Sequence, residues 1–290
     1  MYITIGLEIH FRLNTRSKLF SFSIVQPTVK QQNVCASLLD LAFPGAMPTL
    51  NKRAVFLAIK FGISINATIN MVSLFDRKHY IYPDLPKGFQ ITQFTQSILK
   101  FGYLDISVTN ILSKRVFIRS SHLEEDTGKL HHGIVTQKFC VDFNRCGFPL
   151  LEVVTEPILN TAQEVFIFLK KLHEVITILG LCSNDMETGS FRCDVNISLR
   201  KFFSVIQGTR VEIKNINSFK FVEKAIIYEI ERQKSLLLNN SIVCKETRFY
   251  DQKKNMTFSL RSKETQFDYR YFSEPDVPAI VLTKHTIFCI

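Results

Sequence analysis

The sequence predicts an α+β fold, a mainly antiparallel sheet with its helices packed on one face. Strict apolar/polar alternation over Tyr2–Phe11 and residues 192–200 marks half-buried strands. A second alternating run at 210–214 follows a short polar link holding Gly208, so these two runs predict a hairpin. Amphipathic stretches opened by capping residues supply the helices.

In the first strand Ile3, Ile5, Leu7, Ile9 and Phe11 share one face, which leaves Glu8 and His10 side by side on the other. Residues 12–50 are irregular, with turns at Pro27, Pro44-Gly45 and Pro48. Asn51 caps a helix to about Ser64, with Ala54, Val55, Ala58 and Phe61 inward. The stretch from Phe75 to Gln93, dense in bases, tyrosines and prolines, reads as an ordered loop that forms a site wall. A short helix is expected near 92–101, and a strand-like run spans Arg115–Arg119. Residues 138–157 form an extended pair, with Glu152 and Glu156 on one face. Thr161-Ala162-Gln163-Glu164 is a capping box opening a helix that stops at Gly180. Ser218 caps a long helix to about Leu238, and 242–280 hold further strands and loops. No internal repeat or domain boundary is visible, so residues 1–290 read as one domain.

The chain has 290 residues, 46% of them hydrophobic and 21% charged, enough for a sizeable core. No apolar run reaches the length that spans a bilayer, and the N-terminus lacks a basic n-region and cleavage site. No membrane association is expected, and the default location is cytoplasmic. The seven cysteines are odd in number and none has C-x-x-C spacing, which disfavours disulfides and structural zinc and predicts buried free thiols. A net charge of +10 favours a polyanionic partner such as nucleic acid.

Three adjacent acids, Glu124-Glu125-Asp126, stand just before Gly128-Lys129. Such a run either decorates a solvated turn or holds a metal against phosphate oxygens. The predicted polar sheet face supplies a place for the second role. It collects Glu8, His10, Arg192, Asp194, Asn196, Arg210, Glu212 and Lys214, with Glu152 and the three acids nearby. A solvated face normally mixes Lys, Glu, Thr and Ser; the set here suits Mg²⁺ and phosphate, with hard oxygen ligands for the ion and Arg or Lys for phosphoryl charge. Thr127-Gly128-Lys129 is not a P-loop, because Leu123 stands where the pattern needs glycine and no Ser or Thr follows Lys129. No G-x-G-x-x-G, H-E-x-x-H or Cys-His nucleophile is present, so any nucleophile comes with the substrate.

Taken together, several motifs resemble the GatB family, the transamidating subunit of the aspartyl/glutamyl-tRNA amidotransferases. They are Ile5–His10, Pro44–Asn51, Phe75–Gln93, His122–Lys129, Asp142–Gly147, Arg192–Ser198, Glu212–Ser218 and Asp268–Phe272, in order along nearly the whole chain. The resemblance implies a cradle domain similar in fold to glutamine synthetase. It implies ATP-dependent transamidation of misacylated Glu-tRNA(Gln) or Asp-tRNA(Asn) through an acyl phosphate. The implied partners are a glutaminase subunit, which supplies ammonia, and a small third subunit that braces the pair. On this basis Glu8, His10, Glu124, Glu125 and Glu152 are expected to hold Mg²⁺. Arg77, Lys78, Lys87, Lys129, Arg192, Arg210 and Lys214 are candidates for the phosphates or the tRNA end, and Asp194 and Asn196 for orienting substrate. Glu124 and Glu125 cannot both face the ion on an extended chain. A non-catalytic tRNA-binding or scaffold subunit is the rival reading. Many relatives carry a zinc site of paired cysteines; Ser21 and Ser23 replace one pair here, and no zinc is expected. The family's C-terminal helical and tail domains are expected to be absent, since the sequence stops at Ile290.

Overall fold

A computed structural model describes residues 1–108, 113–132, 139–182, 190–204, 206–216, 218–262 and 269–288. In chain order the elements begin with β1 (Tyr2–Arg12), α1 (Lys52–Ser64), β2 (Thr68–Ile69), β3 (Val72–Ser73), β4 (Asp76–His79), β5 (Phe89–Thr92), β6 (Leu99–Ser107) and β7 (Ser113–Glu125). They continue with β8 (Lys129–His132), β9 (Phe139–Asp142), β10 (Pro149–Thr155), α2 (Ala162–Ile178), β11 (Phe191–Arg200), β12 (Val211–Ile216) and α3 (Phe219–Leu238). The last are β13 (Glu246–Asp251), β14 (Met256–Ser262), β15 (Phe272–Ser273), β16 (Ile280–Val281) and α4 (Lys284–Phe288).

The main sheet has nine strands in the order β14-β13-β12-β11-β1-β10-β7-β6-β2. Every neighbouring pair is antiparallel except β12 and β13, which α3 joins as the crossover a parallel pair requires. The strand alternation read from the sequence sorts the two faces. Ile5, Leu7, Ile9 and Phe11 are buried with Cys193, Val195, Ile197 and Leu199 of β11. Helices cover that face. Phe61 of α1 meets Phe11 edge-on at 5.5 Å, and His173 of α2 and Phe219 of α3 both pack edge-on against Phe191. The mixed α+β class, the mainly antiparallel sheet and the single helix-covered face therefore match the expectation.

Local signals succeeded where one residue decides the geometry. The Asn51 side chain accepts from Arg53 N at 2.9 Å, and that of Thr161 from Glu164 N at 3.1 Å. Ser218 stands at the α3 N-cap without a side-chain capping bond. β11 and β12 pair antiparallel as predicted. A Cβ on Gly208 would lie 2.0 Å from the Leu199 carbonyl oxygen, so the link between them needs glycine.

Three expectations are corrected. Residues 92–101 form no helix; β5 ends, a tight loop follows, and β6 begins. Asp76 accepts from Phe94 N and Thr95 N, and Gln93 from Ile98 N, so side chains satisfy amides that helix periodicity cannot anticipate. The two strands in 138–157 do not pair with each other: β9 pairs with β8, whereas β10 lies between β1 and β7. Of the cysteines, Cys35, Cys146 and Cys193 are buried free thiols, but Cys140 and Cys244 are exposed. Asn217 and Asp268 of the quoted motifs, and Cys289 among the seven cysteines, lie outside the described residues. Among the described residues no helix is long and apolar enough to cross a membrane.

Candidate active site

The uncovered face of the sheet carries a polar row. β7, β10, β1 and β11 lie side by side, and their registers put His122, Glu152, His10 and Arg192 opposite one another. Glu152 Oε2 lies 3.2 Å from His10 Nε2 and 3.0 Å from His122 Nε2. Burial alone would lower the pKa of both imidazoles, but the charge and hydrogen bonds of Glu152 raise it. Burial likewise works against ionised Glu152, yet the two histidines hold its carboxyl well below the usual range.

Glu124 joins this row because it lies two residues along β7 from His122, on the same face. Gln90 Nε2 donates to Glu124 Oε1 at 2.8 Å, and Lys78 Nζ lies 3.9 Å from Oε2. One donor atom each from His10, Glu124 and Glu152 lie within 4.8 Å of one another. Glu8, Asp194 and Glu212 form a second such group. Here Asn196 Nδ2 donates to Glu8 Oε1 at 2.8 Å, and Lys214 Nζ lies 3.1 Å from Asp194 and 3.0 Å from Glu212. Burial, then the charges of Glu152 and Glu212, push the Glu8 carboxyl upward. Burial disfavours the Lys214 ammonium, but Asp194 and Glu212 reverse this and raise its pKa. The acids at Glu8 are thus drawn together around Lys214.

A cleft of about 370 Å³ opens over both groups, with His10, Tyr80, Glu124, Arg192, Asp194 and Lys214 in its lining. Arg192 is aimed by Asp126, whose Oδ1 accepts from its Nη2 at 2.8 Å. Burial opposes charge on Asp126, but Arg192 and Arg145 hold its carboxyl below the usual range. Arg145 also donates to the carbonyls of Thr127 and Gly128, which fixes the turn after β7. Carboxylate oxygens in groups of this size suit a hard divalent cation, and fixed Arg and Lys suit phosphoryl oxygens. Among the described residues no thiol lines the cleft: Cys193 faces the core, and burial raises its pKa well above that of a free thiol.

The acid run resolves residue by residue. Glu124 faces the cleft; Glu125, expected beside it, turns to the other side of the strand and is 1% exposed. There it accepts from Ile91 N at 2.8 Å and pairs with Lys87 at 2.5 Å. Its other oxygen, Oε2, is buried without a hydrogen-bond partner among the described residues. Burial pushes its carboxyl upward. Asp126 ends the run as the anchor of Arg192. The structure therefore brings together Glu8, His10, Glu124, Glu152, Arg192, Asp194, Asn196, Lys78 and Lys214, and leaves Glu125 outside the group.

Other expected residues also lie elsewhere. Lys87 and Arg77 line a separate hollow of about 200 Å³, where Arg77 is tied to Glu274 and Asp276. Lys129 and Arg210 are exposed, and their side chains pair with none of the described residues. His122 was not expected at the cleft, and Gln90 and Tyr80 were expected only as part of the Phe75–Gln93 wall. Alternation from Glu124 back to His122 was a usable signal for the first. Gln90 had none, because it comes to Glu124 through the β4–β5 hairpin, where it stands opposite Lys78.

The fold and the cleft define an α+β protein with a polar, acid-and-base site on the open face of an antiparallel sheet. Comparison with known sequences matches residues 3–288 to the GatB/GatE catalytic domain, and the chain belongs to that family. It is 49% identical over 285 residues to the GatB subunit of the aspartyl/glutamyl-tRNA(Asn/Gln) amidotransferase of Francisella tularensis subsp. novicida (strain U112). It is 48% identical over the same length to the corresponding subunit of F. tularensis subsp. tularensis (strain WY96-3418). Each match covers 98% of this chain and 60% of the relative, so the chain spans about three fifths of those proteins.

Proposed function

We propose that this chain is the transamidating subunit of a tRNA-dependent amidotransferase, converting Glu-tRNA(Gln), Asp-tRNA(Asn) or both to the amide. The observation that carries this is the His10/Glu124/Glu152 group beside Arg192, Lys78 and Lys214 in the cleft of a GatB/GatE catalytic domain. The reaction activates the aminoacyl carboxylate with ATP as an acyl phosphate, and ammonia then displaces phosphate. A glutaminase partner supplies the ammonia, and a small third partner completes a cytoplasmic heterotrimer.

The donor sets fit magnesium. Glu8, Asp194 and Glu212 offer oxygen ligands only, and Glu124 and Glu152 add two more beside His10. Bound there, Mg²⁺ supplies charge neutralisation to the transferring phosphoryl group. The chain's own residues do the rest. Arg192, held by Asp126, and Lys214, held between Asp194 and Glu212, present fixed cations to phosphate oxygens. Gln90 orients Glu124, and Asn196 orients Glu8. Phosphoryl transfer asks for positioning and electrostatics more than covalent help, so a face without a nucleophile is sufficient.

The test is ATP turnover and amide formation by the complex reconstituted with the glutaminase partner, Mg²⁺ and Glu-tRNA(Gln), comparing wild type, Glu124→Gln and Asn196→Ala. Glu124→Gln should abolish both readouts. Unchanged ATP turnover in Glu124→Gln would overturn the catalytic reading in favour of a scaffold that only holds tRNA.

A further inference from the structure

An aromatic wall climbs out of the cleft, and the site described above makes no use of it. Tyr80 lines the cleft. Its ring packs edge-on to Tyr269 at 6.1 Å, Tyr269 packs edge-on to Tyr271 at 6.0 Å, and Tyr271 stacks flat on Phe94 at 4.0 Å and 7°. Phe94 is 65% exposed, so the last ring of the series presents a flat apolar surface to solvent.

That exposure is built in. Phe94 N and Thr95 N both donate to Asp76 Oδ2, at 2.9 and 2.8 Å, and the Thr95 hydroxyl adds a third bond to a carboxylate that is 1% exposed. The opposite side is pinned through Tyr269, whose carbonyl accepts from His79 N at 2.8 Å, and through β15, which pairs with β4. A phenylalanine on a floppy tip would fold back onto the surface; this one is held outward by its backbone. A preset flat ring with one face free is the arrangement on which a nucleobase stacks.

The wall is continuous with the acids. Lys78 Nζ lies 5.3 Å from the Tyr269 centroid and 3.9 Å from Glu124 Oε2. The Tyr80 hydroxyl donates to Gln90 Oε1 at 3.1 Å, and Gln90 in turn holds Glu124. A base on Phe94 would leave its sugar and phosphates heading down the tyrosines toward Lys78 and Arg192. We infer that the Phe94–Tyr271 stack is a subsite for an adenine base whose attached ribose leads into the acid cleft. This rests on the proposed function, in which two substrates carry such a base: ATP, and the terminal adenosine of the aminoacylated tRNA.

Stacking is measurable without turnover. The complex is titrated with 2-aminopurine riboside triphosphate and, separately, with an acceptor-stem RNA ending in 2-aminopurine, following the quenching that stacking produces. Wild type should quench at least one probe. Phe94→Ala and Phe94→Leu should weaken binding of that probe about 10-fold, the scale of one base–aromatic contact, whereas Phe94→Tyr should not. Loss for the triphosphate alone assigns the subsite to ATP, and loss for the RNA alone assigns it to the tRNA end. Equal binding by Phe94→Ala and wild type would overturn the subsite while leaving the proposed function standing. Failure of wild type to bind either probe would overturn both.

Discussion

Two clusters of buried charge sit on this one sheet, and they are finished differently. At the β13–β14 end, Glu229 of α3 is 0% exposed and its carboxylate is saturated: Arg232 and Gln233 donate to it, and so does Thr257, with Arg248 3.5 Å away. Arg248 is further engaged by Glu246 and by Thr257. Every charge there has its partner. In the cleft, by contrast, Glu8, Asp194 and Glu212 converge around one lysine, and Glu8 has its carboxyl pushed upward by burial and by neighbouring acids. The first arrangement clamps α3 to the sheet. The second gathers acids around Lys214, an arrangement that a bound divalent cation would relieve. Charge satisfaction, more than charge density, separates the structural cluster from the candidate site.

That contrast breaks most sharply by deleting the structural cluster. Glu229→Ala removes the buried carboxylate that Arg232, Gln233, Thr257 and Arg248 share and should cost about 3–5 kcal/mol of stability, read by denaturant unfolding, without lowering activity per folded molecule. Glu152→Gln should do the reverse: activity falls about 100-fold or more, with a stability loss smaller than that of Glu229→Ala because the lost histidine pairing is partly offset by relief of the charge on Glu8.

A pH series sharpens the comparison further. Protonated His10 and His122 have raised folded-state pKa values, so their contribution is complete below about pH 6.5 and is lost as pH rises through those raised values. The depressed Glu152 contributes above about pH 4.3 and is lost as pH falls through its folded value. Stability measured across pH should therefore carry a component of about 1–3 kcal/mol between those limits that Glu152→Gln removes and Glu229→Gln does not. The smallest effect is expected from Asn196→Ala, which removes the bond that orients Glu8: about 1 kcal/mol, seen as a higher Mg²⁺ concentration needed for half-maximal turnover rather than as unfolding.

Much of this was legible in the sequence, and the reason is periodicity. Alternation alone placed Glu8, His10, Arg192, Asp194, Asn196 and Lys214 on one face, because a strand's two-residue period is rigid. The same rule said that Glu124 and Glu125 point apart but not which one meets Glu152; that depends on β10 pairing Leu150 with Glu124, a contact between distant segments. Lys87 and Arg77 looked like cleft bases because they share a motif with Lys78. The β4–β5 hairpin sends neighbouring side chains to opposite sides, so Lys78 reaches Glu124 while Arg77 turns to Glu274. Residues such as Gln90 act through bonds to other elements, and no local pattern encodes those.

The order of the central strands has a kinetic consequence. β1 lies between β10 and β11, and the bond from Leu7 N to Thr155 Oγ1 spans 148 residues while that from Asn196 to Glu8 spans 188. No short stretch of chain can assemble the His122–Glu152–His10–Arg192 row by itself. Such long-range closure is slow, and until it happens β1 exposes both hydrogen-bonding edges and an aliphatic stripe of the kind that invites aggregation. The cleft is therefore among the last features to exist as the chain folds, and a chain with an intact His122–Glu152–His10–Arg192 row is one whose central strands have already closed.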